Sequence, residues 1–378
     1  MSLVFILGAG ASHGESLSAY VDGPPPLCRT NATPPITTGF FNGDFLGSIG
    51  YRPEDAEKDF SEAFVYIRWL EQIGKDVPVG EGSWNTVDLE EILTSVELSR
   101  EFQGLDSDAG AQYVLIRNKL IRYLWRVIAY CTLRKYGAHS KKLVQSLPWD
   151  ATLITFNYDL LLDQEQITEH EVLSPQYQYS SDPALARELV LPQEATGLFL
   201  KMHGSLNWFR CTNGRCLSKS GIQFQLDTAR CLDRAMGMHI GEESCRYCGS
   251  ETIPAIVPPV LRKPITEDSL LRTIWGQARQ KLNSAEVIVL IGFSAAPTDF
   301  YASWLIRSAV GVRPDAHVFV VNPANDHGHP DHREHSSRMS SVFTAQRGTE
   351  RYDDQFCTFA EIEDILSLLR RKGWIHNA

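Results

Sequence analysis

The sequence predicts an α/β protein built on a doubly wound parallel sheet, and three observations carry that prediction. A short apolar run, LVFIL at residues 3–7, leads straight into a glycine turn, GAGAS. Four more apolar runs end abruptly in polar residues: ATLITF before Asn157, GLFLKM before His203, AEVIVLIGF before Ser294 and AHVFVV before Asn322. Such runs alternate with stretches of helical periodicity, and apolar runs without a polar face are what strands buried on both sides require. The glycine turn after the first strand makes the sheet Rossmann-like.

Between the strands, residues 22–53 hold PPP and PP and read as a long loop. Residues 54–147 read as helical. In DLEEILTSVELS, Leu89, Ile92, Leu93 and Val96 share a face behind an Asp88 cap, and residues 111–136 repeat the pattern through Val114, Leu120, Leu124, Val127 and Cys131. Further helices are expected at 299–310 and 359–372. The expected organisation is a core of residues 1–50, 148–210 and 251–378, a helical insertion at 51–147 and a zinc-ribbon-like insertion at 211–250. His327, His329, His332 and His335 fall in a glycine- and proline-bearing stretch, 325–337, whose spacing fits no particular helix face; a solvated loop is expected there rather than a metal site.

The 378 residues are 43% hydrophobic and 22% charged, which suits a packed soluble core. A net charge of −10 argues against a general nucleic-acid-binding surface, and no sequence-specific contact to nucleic acid is expected. The most apolar long stretch, 111–131, carries Arg117, Lys119, Arg122 and Arg126, so no membrane span is expected. Leu3 to Leu7 is too short for a signal peptide and lacks a basic lead, so the reading is a cytoplasmic protein whose cysteines are reduced or metal-bound.

Gly8 and Gly10 let the backbone turn tightly beside a pyrophosphate, Ser12 can cap the helix that follows, and that helix offers N–H groups to an anion. His13 stands where a dinucleotide fingerprint has its third glycine, and no Gly-Lys-Ser/Thr follows, which excludes a Walker loop. Ligands of open parallel sheets bind beyond the carboxyl ends of the strands. There the sequence sets an amide (Asn157), a carboxylate (Asp159) and an imidazole (His203). Cys211-x4-Cys216 and Cys245-x2-Cys248 form a zinc-ribbon spacing, with Cys231 between them as a substitute ligand. Four thiolates leave zinc no open position, so the metal is structural. Cys28, Cys131 and Cys357 read as ordinary thiols.

The run GAGAS, TFNYD, MHGSLNW, a cysteine cluster, GFS and VNP, in that order, resembles the sirtuin fold, and more closely the SIR2-like proteins of bacterial antiphage defence. The resemblance implies that NAD is bound. Gly8, Ala9, Gly10 and Ser12 would hold its pyrophosphate, Asn157 would position the nicotinamide ribose or a water, and Asp159 would bind the carboxamide. His203 would be the general base, and Gly292, Ser294 and Asn322 would contact phosphate and the adenosine ribose. Sirtuins also carry a structural zinc at this point in the chain. Protein-deacylating sirtuins carry Gly-Ile-Pro-Asp-Phe-Arg after the glycine turn. Here residues 16–21 are SLSAYV, keeping an aromatic ring at Tyr20 but neither acid nor arginine. The expectation is therefore hydrolysis of NAD to nicotinamide and ADP-ribose. A protein deacylase and a non-catalytic NAD- or ADP-ribose-binding assembly module are the alternatives. The proline-rich loop 22–41, with Phe40 and Phe41, is placed over the site. The resemblance further implies control by homo-oligomer formation or by a HerA-type ATPase partner.

Overall fold

The computed structural model describes residues 2–19, 33–103, 107–132, 135–148, 150–163, 198–213, 215–216, 222–224, 244–245, 247–260, 265, 269–311, 313, 315–343 and 356–375. Tyr20, Cys28 and Cys231 lie outside these residues. Five strands, β1 (Leu3–Leu7), β4 (Thr152–Thr155), β5 (Phe199–Lys201), β9 (Val287–Ile291) and β10 (His317–Val321), form one sheet in the order β10-β9-β1-β4-β5. Every pairing in it is parallel.

The sheet is buried on both faces, and the two-residue period of a strand sorts its side chains accordingly. Val4, Ile6, Ile154, Leu200, Ile288, Leu290, Val318 and Val320 join one core, against α8 (Ser269–Ser284), α9 (Phe300–Ile306) and α10 (His332–Val342). Leu3, Phe5, Leu7, Leu153, Phe199, Val289, Ile291 and Phe319 join the other, with Leu143 and Val144 of α7 (Ala138–Ser146) and Ile362, Ile365 and Leu369 of α11 (Ile362–Arg371). This arrangement is the doubly wound Rossmann-like fold that the apolar runs predicted.

A third core is helical. It packs α2 (Gly43–Ser48), α3 (Pro53–Asp59), α4 (Ser61–Leu70), α5 (Leu89–Gln103) and α6 (Asp108–Thr132) around Trp84, Phe41, Phe64 and Tyr123. The Phe41 and Tyr123 rings stack with centroids 5.1 Å apart. Asp88 caps α5, accepting from Glu90 N at 2.8 Å, as its place ahead of the apolar face required.

Two expected boundaries move. Residues 43–48, read as loop, form α2, capped by Asn42 Oδ1 accepting from Phe45 N at 2.9 Å, and Phe40, Phe41, Leu46 and Ile49 belong to the helical core. At the other end, Lys135–Gly137 form a strand, β3, paired with β2 (Leu17–Ala19), and α7 packs on the sheet. Glu15 locks this junction. Its buried carboxylate accepts from the backbone of His139 and Ser140, both at 2.9 Å, and from Ser140 Oγ at 2.7 Å, capping α7 from 124 residues away in sequence.

Candidate active site and cysteine cluster

The ladder of the sheet continues past the strand ends and fixes the rim. Gly8 N donates to Ile291 O at 2.9 Å, Gly10 N to Gly292 O at 3.0 Å, Gly292 N to Val321 O at 2.9 Å and Phe156 N to Leu7 O at 3.0 Å. The β1 and β9 turns interlock backbone to backbone. A Cβ on Gly8 would lie 2.6 Å from Gly292 O, and one on Gly292, whose φ is +62°, would lie 2.1 Å from Ala11 N. The glycines thus serve first to bring two rim segments into contact. The helix after them, α1 (Ala9–His13), is a single turn, and Gly8, not Ser12, is its N-cap. Ser12 lies inside α1, which corrects its expected role as a cap.

Ser12 is instead the middle of a relay. Its hydroxyl donates to Asp159 Oδ2 at 2.6 Å and accepts from Asn157 Nδ2 at 2.8 Å; the same Nδ2 donates to Gly8 O at 2.9 Å. Gly8 O can only accept, so the amide nitrogen must face it, and Oδ1 is the atom Asn157 has left to offer a ligand. The second oxygen of Asp159 accepts from Leu161 N at 3.1 Å. Each oxygen of this carboxylate accepts one hydrogen bond within the chain, so Asp159 orients Ser12, and through it Asn157, while keeping acceptor capacity toward the cavity it lines.

Beneath the rim, Lys201, fully buried, donates to the backbone carbonyl of Asp159 and pairs with Asp163 Oδ2 at 2.8 Å. Sequence reading missed this pair, as it missed Glu15. The apolar setting of LFLKM offered the one signal, a lysine closing a buried strand with nowhere to snorkel.

His203 is 4% exposed, in an aromatic surround: Phe156, Tyr158 and Trp275 have centroids 5.2, 6.2 and 6.3 Å from it. Its backbone is pinned on both sides. Val257 N donates to His203 O at 2.7 Å, and Gly204, at φ +82°, passes so close to Ala255 O that a Cβ would lie 2.2 Å away. Tyr158 Oη donates to Val257 O at 2.6 Å. Burial drives the Tyr158 hydroxyl pKa far up, and the carboxylates of Glu90 and Asp299 add to the rise. Negative charge therefore stands near the ring that neighbours His203.

These groups line one cavity of about 680 Å³, within the range of small-molecule sites. Gly8, Ala9, Gly10, Ser12, Asn157, Asp159, His203, Gly292, Ser294 and Asn322, all expected from sequence, meet there. Asn322 also shapes its own turn, since its Oδ1 accepts from Ala324 N at 2.9 Å and its Nδ2 donates to Phe293 O at 3.3 Å. The opposite wall comes from Pro34, Thr37, Phe40, Leu89, Glu90 and Ile128, so the helical unit closes the cleft, as expected for Phe40. Phe41 packs inward instead.

The histidine-rich stretch departs from expectation. It forms α10 and the turn before it, and His329, Asp331, Glu334, His335 and Arg338 line the same cavity. His335, Met339 and Val342 are the buried residues of α10, an inner face spaced at four and three residues. Burial, with Arg338, His332 and His329 adding repulsion, pushes the His335 pKa down to about 4. The unfolded chain takes up that proton near pH 6.5 and the folded chain does not until about pH 4. Stability present above pH 6.5 is therefore lost as pH falls toward 4, by at most about 3 kcal/mol. Urea titrations at pH 7.5 and 4.5 should show this loss in the wild type and a smaller one in His335→Leu.

Away from the cavity, β6 (Gly204–Cys211), β7 (Ile222–Phe224) and β8 (Thr252–Ile256) form a small antiparallel sheet. Cys211 ends β6; Cys245 and Cys248 sit on a tight turn closed by Gly249 N donating to Cys245 O at 2.8 Å. The sulfurs of Cys211, Cys216, Cys245 and Cys248 all lie within 4.8 Å of one another. Tetrahedral zinc with Zn–S near 2.3 Å needs sulfurs about 3.8 Å apart, so the donor set fits a structural zinc.

No family model matches the chain, and no curated protein matches it. Among solved structures, a Sir2 homologue in complex with NAD aligns over 99% of this chain and 90% of its own at 15% identity, with a TM-score of 0.41. A Sir2 homologue mutant bound to ADP-ribose aligns over 100% and 95% at 14% identity, TM-score 0.40. Another mutant, bound to 2′-O-acetyl-ADP-ribose, aligns over 99% and 93% at 16% identity, TM-score 0.40. Likeness at this level assigns no family. No described helix is long and apolar enough to cross a membrane.

Proposed function

We propose that the chain is an NAD-consuming hydrolase that releases nicotinamide and leaves ADP-ribose. The observation that carries this reading is the meeting, in one cavity, of the Asn157 amide oriented through Ser12, the buried His203 imidazole and the interlocked glycine turns. The bond between nicotinamide and ribose breaks with its electron pair leaving on the ring nitrogen, which turns a cationic ring into a neutral leaving group and shifts positive charge to the sugar. Glu90 and Asp299 supply negative charge on that side of the cavity. Asn157 Oδ1 holds the ribose or the incoming water. The water oxygen bonds to the ribose carbon and its proton passes to His203.

The second reading is transfer of an acyl group from lysine. It uses the same Asn157 and His203, and 2′-O-acetyl-ADP-ribose is the ligand in one of the structures compared above. Water is the acceptor favoured by residues 16–21, SLSAYV, where the acid and the arginine of the deacylase pattern are both missing. Chromatography of products from NAD, with and without an acetyl-lysine peptide, separates the two. Nicotinamide and ADP-ribose at equal rates in both reactions support hydrolysis. Acetylated ADP-ribose formed only with peptide supports acyl transfer. No nicotinamide in either reaction sinks both.

A structural zinc on Cys211, Cys216, Cys245 and Cys248 belongs to the same reading, as does a cytoplasmic setting. Metal analysis should find one zinc per chain, and a strong chelator or Cys248→Ser should lower the melting temperature by several degrees. Full metal-free stability would exclude the site. The motif order also supports a place in antiphage defence, with activity restrained by self-assembly or by a HerA-type ATPase.

A further inference from the structure

His203 stands on the turn from β5 to β6, and the two sides of that turn are held differently. On the β5 side the main sheet carries the chain: Met202 N donates to Thr155 O at 2.9 Å, and the Trp275 indole donates to Met202 O at 2.9 Å. On the β6 side the small sheet gives less support. Its pairing of Gly204 with Ile256 is followed by an irregularity before Phe209. Val257, whose N–H holds the His203 carbonyl, lies one residue past the end of β8. A backbone segment beyond its ladder needs another tie to keep its place.

Tyr158 supplies that tie. Its hydroxyl donates to Val257 O at 2.6 Å, and burial keeps the proton on the oxygen, so it stays a donor. Pro258 follows Val257, and a residue ahead of proline is pushed to extended backbone, which limits where the Val257 carbonyl can point. Tyr158 is itself anchored. Its carbonyl accepts from Leu206 N at 2.9 Å, and Leu206 O accepts from the buried indole of Trp125, on α6, at 2.8 Å. Four hydrogen bonds thus run from the helical unit through Leu206, Tyr158 and Val257 to His203. Tyr158 also directly follows Asn157, so a single residue links the amide to the imidazole, and all three line the cavity.

We propose that Tyr158 is a positioning residue: its hydroxyl, through Val257, sets the place of the His203 imidazole relative to the Asn157 amide. The hydroxyl faces the Val257 carbonyl and not the ligand, so it acts through His203. The assignment rests on the hydrolase reading above and goes beyond it by naming the group that spaces base and amide. An imidazole moved by a fraction of an ångström loses its alignment for proton transfer, while a ligand held by the glycine turns keeps its contacts there. The loss therefore falls on the chemical step and not on binding.

Kinetics of nicotinamide release from NAD by the full chain test this. Tyr158→Phe, which keeps the ring and removes only the hydroxyl, should lower kcat by about tenfold to a hundredfold and leave KM and ADP-ribose affinity within about twofold. The same substitution placed on His203→Ala should change the remaining single-turnover rate by less than about twofold, because no imidazole is left to misplace. A general loosening of the site would cost the same factor in both backgrounds. An unchanged kcat in Tyr158→Phe, a loss carried by KM instead, or an equal loss in both backgrounds overturns the assignment and leaves the hydrolase reading standing. A wild type that releases no nicotinamide overturns that reading, and this one with it.

Discussion

His203→Ala is expected to slow nicotinamide release from NAD by about 10²- to 10⁴-fold, the range a positioned general base contributes. ADP-ribose affinity should change little, because the proposed reading puts the ring at the reacting end and the glycine turns that would hold the phosphates along β1 and β9. Asn157→Ala should lose a similar factor by a different route. Its amide both offers Oδ1 to the ligand and ties Ser12 to the Gly8 carbonyl, so its removal also loosens the turn. Single-turnover rates and calorimetry together separate the two. Comparable turnover in wild type, His203→Ala and Asn157→Ala preparations would mean that the rim is not the source of activity.

The second large effect is on stability. Lys201→Met leaves Asp163, itself 2% exposed, as a buried carboxylate without its cation, and removes the ammonium that holds the Asp159 carbonyl. Breaking a buried pair from one side costs about 3–5 kcal/mol. Lys201→Met with Asp163→Leu should recover much of this loss, because two apolar side chains leave no charge to solvate. Equilibrium unfolding in urea measures both. A single mutant within about 1 kcal/mol of wild type would show that the pair is not what holds the segment after β4.

The sheet was legible because each of its strands is a short apolar run ended by a glycine, asparagine or histidine, and the rule that ligands bind at such ends located the cavity. What the sequence hid has physical reasons. Gly43 and Gly47 disguise α2, which owes its helix to the Asn42 cap and the burial of Leu46 more than to propensity. Glu15 and the β2–β3 pair act across more than 100 residues, a distance no local pattern spans. Asp159 was recognisable as a site residue, but the direction of its oxygens depends on where the Ser12 hydroxyl stands. His335 was readable in principle, four residues before Met339 and seven before Val342; the glycine and proline just upstream masked the helix that gives this spacing meaning.

Phe40, Leu89 and Ile128 belong at once to the interior of the helical unit and to the lining of the cavity. That shared ownership means the helices are no detachable accessory. A shortened chain made by excising them would lose one side of its reaction chamber and bare a greasy wall to solvent, so a minimal catalytic fragment cannot be carved from the sheet alone.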